Sequence, residues 1–346
     1  MPRARLPRNE PIAIGGTTVG PGQRTLVEVP VSRLPTATSL TLPIVVAHGL
    51  RPGPKLWLSA VVHGDELNGM EIIRRVLEAV RPRQMSGTVV AAPIVNVFGV
   101  LGESRYLPDR RDLNRSFPGS ANGSLGSQLA HLFMTNVVAA CDMGIDLHTG
   151  SDHRYNYPQI RGDLEDPATR ELAEAFGAPV SIHSPLRDGS LREACQRRGI
   201  PVIVYEGGEA NRFNEEVIVA GTEGIMRVLV HLGMRSAANG SGNANGNGGR
   251  RRPATTFVRH THWVRARRTG ILRTSINAGQ RVARGETLGV IADAVGGARV
   301  TMKAPIAGVV IGHTRHPLVH RGDALFHLAD LDPAAKGRVA RLPRRD

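Results

Sequence analysis

The chain of 346 residues predicts an α/β protein: a layered α/β/α domain with a largely parallel or mixed sheet, followed by a small all-β module. Two observations predict it. Short apolar runs alternate with stretches of helical apolar spacing up to about residue 235, the pattern of βα units. A Gly/Asn/Ser-rich stretch, 236–252, then separates this part from strands divided by Gly-rich turns. The division expected is 1–235 for the α/β domain with its N-terminal strands, 236–252 for a linker or loop, 253–332 for the β module and 333–346 for a basic tail.

Residues 11–50 alternate apolar and polar positions between Gly/Pro turns and predict short antiparallel strands. Arg51-Pro52-Gly53-Pro54 reads as a turn before a buried strand, Leu56 to Val62. Helical spacing predicts a helix over Leu67 to Val80, stopped at Pro82. A strand over Gly87 to Asn96 follows, and then a loop from Val97 to Gly119 that is rich in charge. Helices are predicted over Ser127–Ala139, Pro167–Phe176, Leu191–Arg198 and Glu215–Leu232, the third capped by Ser190. Two further strands end at His148 and at Glu206. Beyond the linker, strands are predicted near 256–266, 269–277, 281–292, 298–304, 306–314 and 324–328.

The formal charge is +14, nearly all of it arginine, since lysine occurs only at Lys55, Lys303 and Lys336. Such a charge favours anionic partners. The arginines are scattered and accompany no nucleic-acid module, so they read as a solvated surface. No run of about 18 apolar residues offers a membrane span, and Met1 to Glu10 lacks the apolar core of a secretory leader. Cys141 and Cys195, the two cysteines, suggest neither a disulfide framework nor a thiolate metal site. A cytoplasmic setting is expected.

The chemistry concentrates at strand ends. Leu58-Ser59-Ala60-Val61-Val62-His63-Gly64-Asp65-Glu66 is an apolar run that ends in a His and a Glu three residues apart. Such edges are where open α/β sheets place their sites. Imidazole nitrogen and carboxylate oxygen both suit zinc, and a catalytic zinc wants a third protein ligand. Ile145-Asp146-Leu147-His148-Thr149-Gly150 offers His148. Taken alone, a His-x-x-Glu pair is more often a surface pair or a satisfied core imidazole. Asp65 is expected to point away from Glu66, because neighbours on an extended segment face opposite ways. His131, His153, His183 and the group His313, His316, His320 and His327 read as core or surface histidines.

Four motifs then occur in order: His63-Gly64-Asp65-Glu66, Asp112-Leu113-Asn114-Arg115-Ser116-Phe117-Pro118-Gly119, Asp146-Leu147-His148 and Tyr205-Glu206-Gly207-Gly208. Together they resemble the succinylglutamate desuccinylase/aspartoacylase family, related to zinc carboxypeptidases, over about residues 20–330. The resemblance implies a three-layer α/β/α zinc-carboxypeptidase-like domain with a mixed sheet and a small hammerhead- or barrel-like β domain. It implies one Zn2+ per chain on His63, Glu66 and His148, and a zinc-bound water that loses its proton to Glu206. It also implies that Arg105 polarises the scissile carbonyl, while Asn114 and Arg115 hold a substrate carboxylate. A cation suits a developing oxyanion, and Arg suits a carboxylate through its planar fork. Asp146 is either an orienter of His148 or a turn cap.

Thr301-Met302-Lys303-Ala304-Pro305 resembles the modified hairpin of biotinyl and lipoyl carriers, but Lys303 runs straight into Ala-Pro and is not expected to be modified. The expected activity is zinc-dependent removal of an acyl group, acetyl or a short dicarboxylic acyl, from a small N-acylated amino acid. The alternatives are a carboxypeptidase-like metallopeptidase acting on short peptides and a non-catalytic protein that binds nucleic acid through its arginines. The partner expected is thus a small substrate, with no membrane, nucleic acid disfavoured and self-association left open.

Overall fold

The structure is a computed structural model and describes residues 7–236 and 255–331. The predicted linker past Ser236 and the predicted tail 333–346 lie outside the described residues.

The N-terminal strands are β1 (Ile12–Ile14), β2 (Thr17–Val19), β3 (Arg24–Arg33) and β4 (Ser39–His48). Next come β5 (Arg51–Ala60), α1 (Asn68–Ala79), β6 (Ser86–Ala92), α2 (Val97–Leu101), α3 (Leu125–Asn136), β7 (Met143–Gly150) and β8 (Arg154–Gly162). They are followed by α4 (Pro167–Phe176), β9 (Val180–His183), α5 (Leu191–Gln196), β10 (Val202–Glu209) and α6 (Glu215–His231). The remaining strands are β11 (Thr256–Val258), β12 (Thr261–Arg265), β13 (Gly270–Thr274), β14 (Arg281–Val282), β15 (Thr287–Ala292), β16 (Arg299–Lys303), β17 (Gly308–Thr314), β18 (Leu318–Val319) and β19 (Ala324–Asp330).

The fold is mixed α/β around a 13-stranded sheet. Its centre, β6-β5-β7-β10, is parallel. These strands are buried on both faces, which is why they read as continuous apolar runs. Antiparallel β4 and β3 extend one flank, and β8, β17, β19 and β12 the other. Helices cover both faces. Ile72 and Ile73 of α1, Leu172 of α4 and Val217 of α6 share one core. Phe133 of α3 and Leu191 of α5 share the other, where Phe133 meets Trp57 edge to face at 5.8 Å.

The chain leaves β5 through α1 to β6 and returns across β5 to β7, so the strand order reverses between β5 and β7. A crevice opens at such a switch point, outside the carboxyl ends of the strands.

Several predicted elements need correction. Arg51 to Pro54, predicted as a turn, already belongs to β5, with an irregular register between Arg51 and Lys55 that accommodates the two prolines. The strand also stops early. Val61 takes φ +54°, a strained left-handed setting for a β-branched residue, and its carbonyl accepts the Asn96 N–H at 2.8 Å. α3 starts at Leu125 because Ser124 caps it by accepting from the Ser127 N–H. The Val97–Gly119 loop contains α2, capped by Asn96. β8 and β9 lie where the sequence pattern predicts no strand.

The C-terminal stretch is divided between two sheets. β16-β15-β13-β18 form a separate four-stranded sheet, whereas β11, β12, β14, β17 and β19 belong to the large one. They join it through β17 on β8, with Gly312 opposite Asn156, and through β11 on β9. Of the described residues, no helix is long and apolar enough to cross a membrane.

Candidate active site

His63 and Glu66 leave the end of β5, and His148 stands near the end of β7, so both sides of the switch point contribute. The loop between His63 and Glu66 depends on Gly64, where a Cβ would lie 2.0 Å from the Gly99 backbone and 2.4 Å from the Ser104 carbonyl. That close approach brings the segment carrying Arg105 against the loop.

The Glu66 carboxylate sits between two imidazoles. His63 Nδ1 is 2.8 Å from Oε1 and His148 Nδ1 is 2.8 Å from Oε2. Ser151 Oγ donates to Oε1 at 2.7 Å and the Thr149 N–H to Oε2 at 3.0 Å. One ligand atom from each of the three side chains lies within 4.8 Å of the others, and all three residues are buried.

Each ring turns its other nitrogen to an aspartate. His148 Nε2 is 2.7 Å from Asp146 Oδ2, whose Oδ1 accepts from Ser59 Oγ at 2.6 Å. His63 Nε2 lies 3.3 Å from Asp112 Oδ1, near enough for attraction but without hydrogen-bond geometry, so this buried atom is unsatisfied. Carboxylates behind ligating imidazoles fix ring orientation and raise basicity. Two nitrogens and one oxygen converging in a buried site form a donor set that fits zinc.

Burial opposes charge on all three groups, but the partners outweigh it. Two imidazoles hold the Glu66 carboxyl well below its ordinary range despite complete burial. Asp146 and Glu66 hold the His148 imidazole well above its ordinary value, and Glu66 and Asp112 raise His63.

Arg105 reaches into the same cluster. Its NH1 donates to Ser151 Oγ at 2.6 Å and lies 3.4 Å from Glu66 Oε1, while NH2 donates to Asp112 Oδ2 at 3.0 Å. Glu206 is the parallel register partner of His148. Asn156 Nδ2 donates to its Oε2 at 2.6 Å, and Arg161 Nε stands 3.3 Å from its Oε1. The turn after it needs glycine. Gly208 has φ +77°, and a Cβ there would meet Asn68 Nδ2 at 2.3 Å.

Asn114 Oδ1 accepts the Leu191 N–H at the start of α5 at 2.9 Å, and Arg115 is exposed beside it. His63, Glu66, Arg105, Asn114, Arg115, His148 and Glu206 all line one cavity of about 460 Å3. Asp65 is also buried but lines a different cavity, with Glu209, Arg315 and His316.

The cavity also holds residues that no sequence motif marks: Asn156 and Arg161 on β8, Arg192 on α5, and Trp263 on β12. Arg192 donates to the carbonyls of Ser184 and Pro185 at 2.9 and 2.8 Å. Burial, together with the charge of Arg161, lowers it to about 10. Ser190, recognised from the sequence only as a helix cap, lines the cavity as well.

The catalytic-domain model of succinylglutamate desuccinylase and aspartoacylase matches residues 52–232, about half of the chain and every motif above. The chain belongs to the succinylglutamate desuccinylase/aspartoacylase family. The Nα-acetyl-L-2,4-diaminobutyric acid deacetylase of Halomonas elongata is 26% identical over 89% of this chain and 92% of its own length. A succinylglutamate desuccinylase/aspartoacylase structure from Rhodobacter sphaeroides aligns with TM-score 0.76 and 29% identity, covering 89% of this chain and 95% of that one. The product-bound ectoine utilization protein of Ruegeria pomeroyi has the same fold, with TM-score 0.76 at 23% identity over 89% and 94% of the two chains.

Proposed function

We propose that this family member is a zinc-dependent amidohydrolase that removes an acyl group, acetyl or a short dicarboxylic acyl, from a small N-acylated amino acid. The observation that carries the reading is the convergence of His63 Nδ1 and His148 Nδ1 on the two oxygens of Glu66, each at 2.8 Å, in a cavity shared with Glu206. In this reading His63, Glu66 and His148 hold one Zn2+ in a zinc-carboxypeptidase-like domain, and Asp112 and Asp146 orient the rings. Bound there, zinc supplies Lewis acidity, which polarises a carbonyl and brings the pKa of water from ~16 toward ~7.

The chain's own groups complete the chemistry. Glu206 takes a proton from the attacking water and returns it to the leaving amine, which needs one carboxylate beside the reacting carbon. Asn156 and Arg161 set where that carboxylate points. Arg105 presents a guanidinium edge to the developing oxyanion. Asn114 and Arg115 anchor the substrate carboxylate, Arg115 through its planar fork.

A cavity of about 460 Å3 is in the range of small-molecule sites, which suits an acylated amino acid. The deacetylase likeness supports the same class. The test is amine release from N-acetyl and N-succinyl amino acids and from unblocked dipeptides. Turnover of one acyl class, with the dipeptides inert, is expected. Turnover of dipeptides alone would make the protein a metallopeptidase.

A further inference from the structure

We propose that the second cavity, the one lined by Asp65, is a transition-metal site in which His153 and His316 together ligate one divalent ion such as Ni2+, Cu2+ or Zn2+.

This cavity, of about 610 Å3, shares Asp152 with the candidate active site. Its walls come from the turn between β7 and β8, from the end of β10, and from the segment between β17 and β18. None of its imidazoles takes part in the chemistry proposed above.

His153 and His316 meet here with ring centroids 4.9 Å apart and planes tilted by 31°. The same 4.9 Å separates the rings of His63 and His148, and two rings sharing a tetrahedral ion stand about 5 Å apart. His316 Nδ1 donates to the Leu318 carbonyl at 2.7 Å. In the neutral ring that bond leaves the lone pair on Nε2, ready for an ion. Backbone contacts hold the two segments together. The Arg315 N–H donates to the His153 carbonyl at 2.8 Å, and the His316 N–H to Thr314 Oγ1 at 3.2 Å. Both imidazoles are exposed, so an ion can reach them from solvent.

The charges around the pair favour a cation. Asp65 is only 8% exposed, and its Oδ1 has no hydrogen-bond partner among the described residues. Burying a carboxylate without partners is unfavourable, and a cation in the same cavity offsets that. Asp152, next in sequence to His153, is 76% exposed and stands 3.7 Å from Arg154, beyond hydrogen-bond distance. It is placed to supply a third ligand, with water completing the shell. Arg315 and Arg212 also line the cavity, but both are drawn to Glu209 Oε1, at 2.7 and 3.5 Å. Three carboxylates thus face two guanidiniums. Imidazole donors select Zn2+, Cu2+ or Ni2+, whereas Mg2+ and Ca2+ prefer shells built from oxygen.

The test is a calorimetric titration of the full-length protein with Ni2+ and with Mg2+. It is run on a His63→Ala, His148→Ala variant and, in case that variant folds poorly, on the wild type carrying one equivalent of zinc. One saturable Ni2+ site per chain is expected in either protein, with no response to Mg2+. Ni2+ should also raise Tm, since an ion joining two segments of the folded chain binds the native state alone. His153→Gln and His316→Gln change exposed side chains and should each weaken Ni2+ binding at least tenfold, a ligand mattering more than an outer-shell partner. Combining them should abolish both the binding and the rise in Tm. Cu2+ in the His63→Ala, His148→Ala protein should show electron paramagnetic coupling to two nitrogens. Absence of a Ni2+ site, an equal response to Mg2+, or Ni2+ binding that survives His153→Gln with His316→Gln would overturn the proposal. Because the titration reads no turnover, its outcome is separate from that of the deacylase reading.

Discussion

Glu206 and His148 are register partners on adjacent parallel strands, so a carboxylate that binds no imidazole stands beside one that belongs to the His/Glu/His cluster. Because the Glu206 contacts are to Asn156 and Arg161, removing its carboxylate leaves the three proposed ligands untouched. Glu206→Ala is therefore expected to keep one zinc per chain and to lower kcat by about 10²- to 10⁴-fold, the usual contribution of a positioned base. Metal analysis and steady-state kinetics on the same preparation check both halves. Unimpaired turnover would remove Glu206 from the mechanism.

Asp146 holds His148 Nε2 at 2.7 Å. Asp146→Asn keeps the shape but weakens the acceptor, so zinc affinity is expected to fall about 10- to 100-fold. Competition with a chromophoric chelator measures it. His148→Ala, which deletes a ligand outright, should leave the protein with well under one equivalent of zinc.

Arg105 touches the cluster through Ser151, Glu66 and Asp112. Arg105→Gln is expected to lower kcat by about 10²- to 10³-fold with little change in KM, the signature of a group that acts on the transition state. A rise in KM alone would place Arg105 in ground-state binding.

The buried His327 gives a pH dependence to stability. Its folded value, lowered to about 3, lies below the ordinary 6.5, so the unfolded chain binds the extra proton between these limits. Stability should therefore fall as pH drops below 6.5, by roughly 1.4 kcal/mol per pH unit from this group, and level off near pH 3. His327→Phe keeps an aromatic ring under Trp263 and should flatten that part of the curve. Urea unfolding of both proteins from pH 7 to pH 4 tests it, and parallel curves would contradict it.

Legibility in the sequence followed how local each signal is. β5, β7 and β10 are buried on both faces, so their apolar runs and the side chains at their ends stood out. Pro167 at its start and Gly177, at φ +68°, at its end marked α4 in the same way, and the structure adds Asp166 as its cap, accepting from the Thr169 N–H. β8 was hidden because it lines a polar cavity with Asn156 and Arg161 and carries Pro158, which breaks the alternation that identifies a strand. Without β8, the residues that hold Glu206 could not be named. Trp263 was hidden for a related reason, since its place depends on β12, β19 and β17 extending the large sheet from β8. That pairing joins residues more than 150 positions apart, such as Asn156 and Gly312, and no short pattern records it. Asp112 lay inside a recognised motif, but its role emerges only from its distances to His63 and Arg105.

The most direct test of the central claim is the rate of amine release from an N-acyl amino acid by the protein as purified, after chelation, and after titration with zinc. The account predicts loss of turnover on chelation, full recovery at one equivalent of zinc per chain, and no recovery in a His63→Ala, His148→Ala double variant. Turnover that survives complete removal of the metal, or that returns in the double variant, would contradict it.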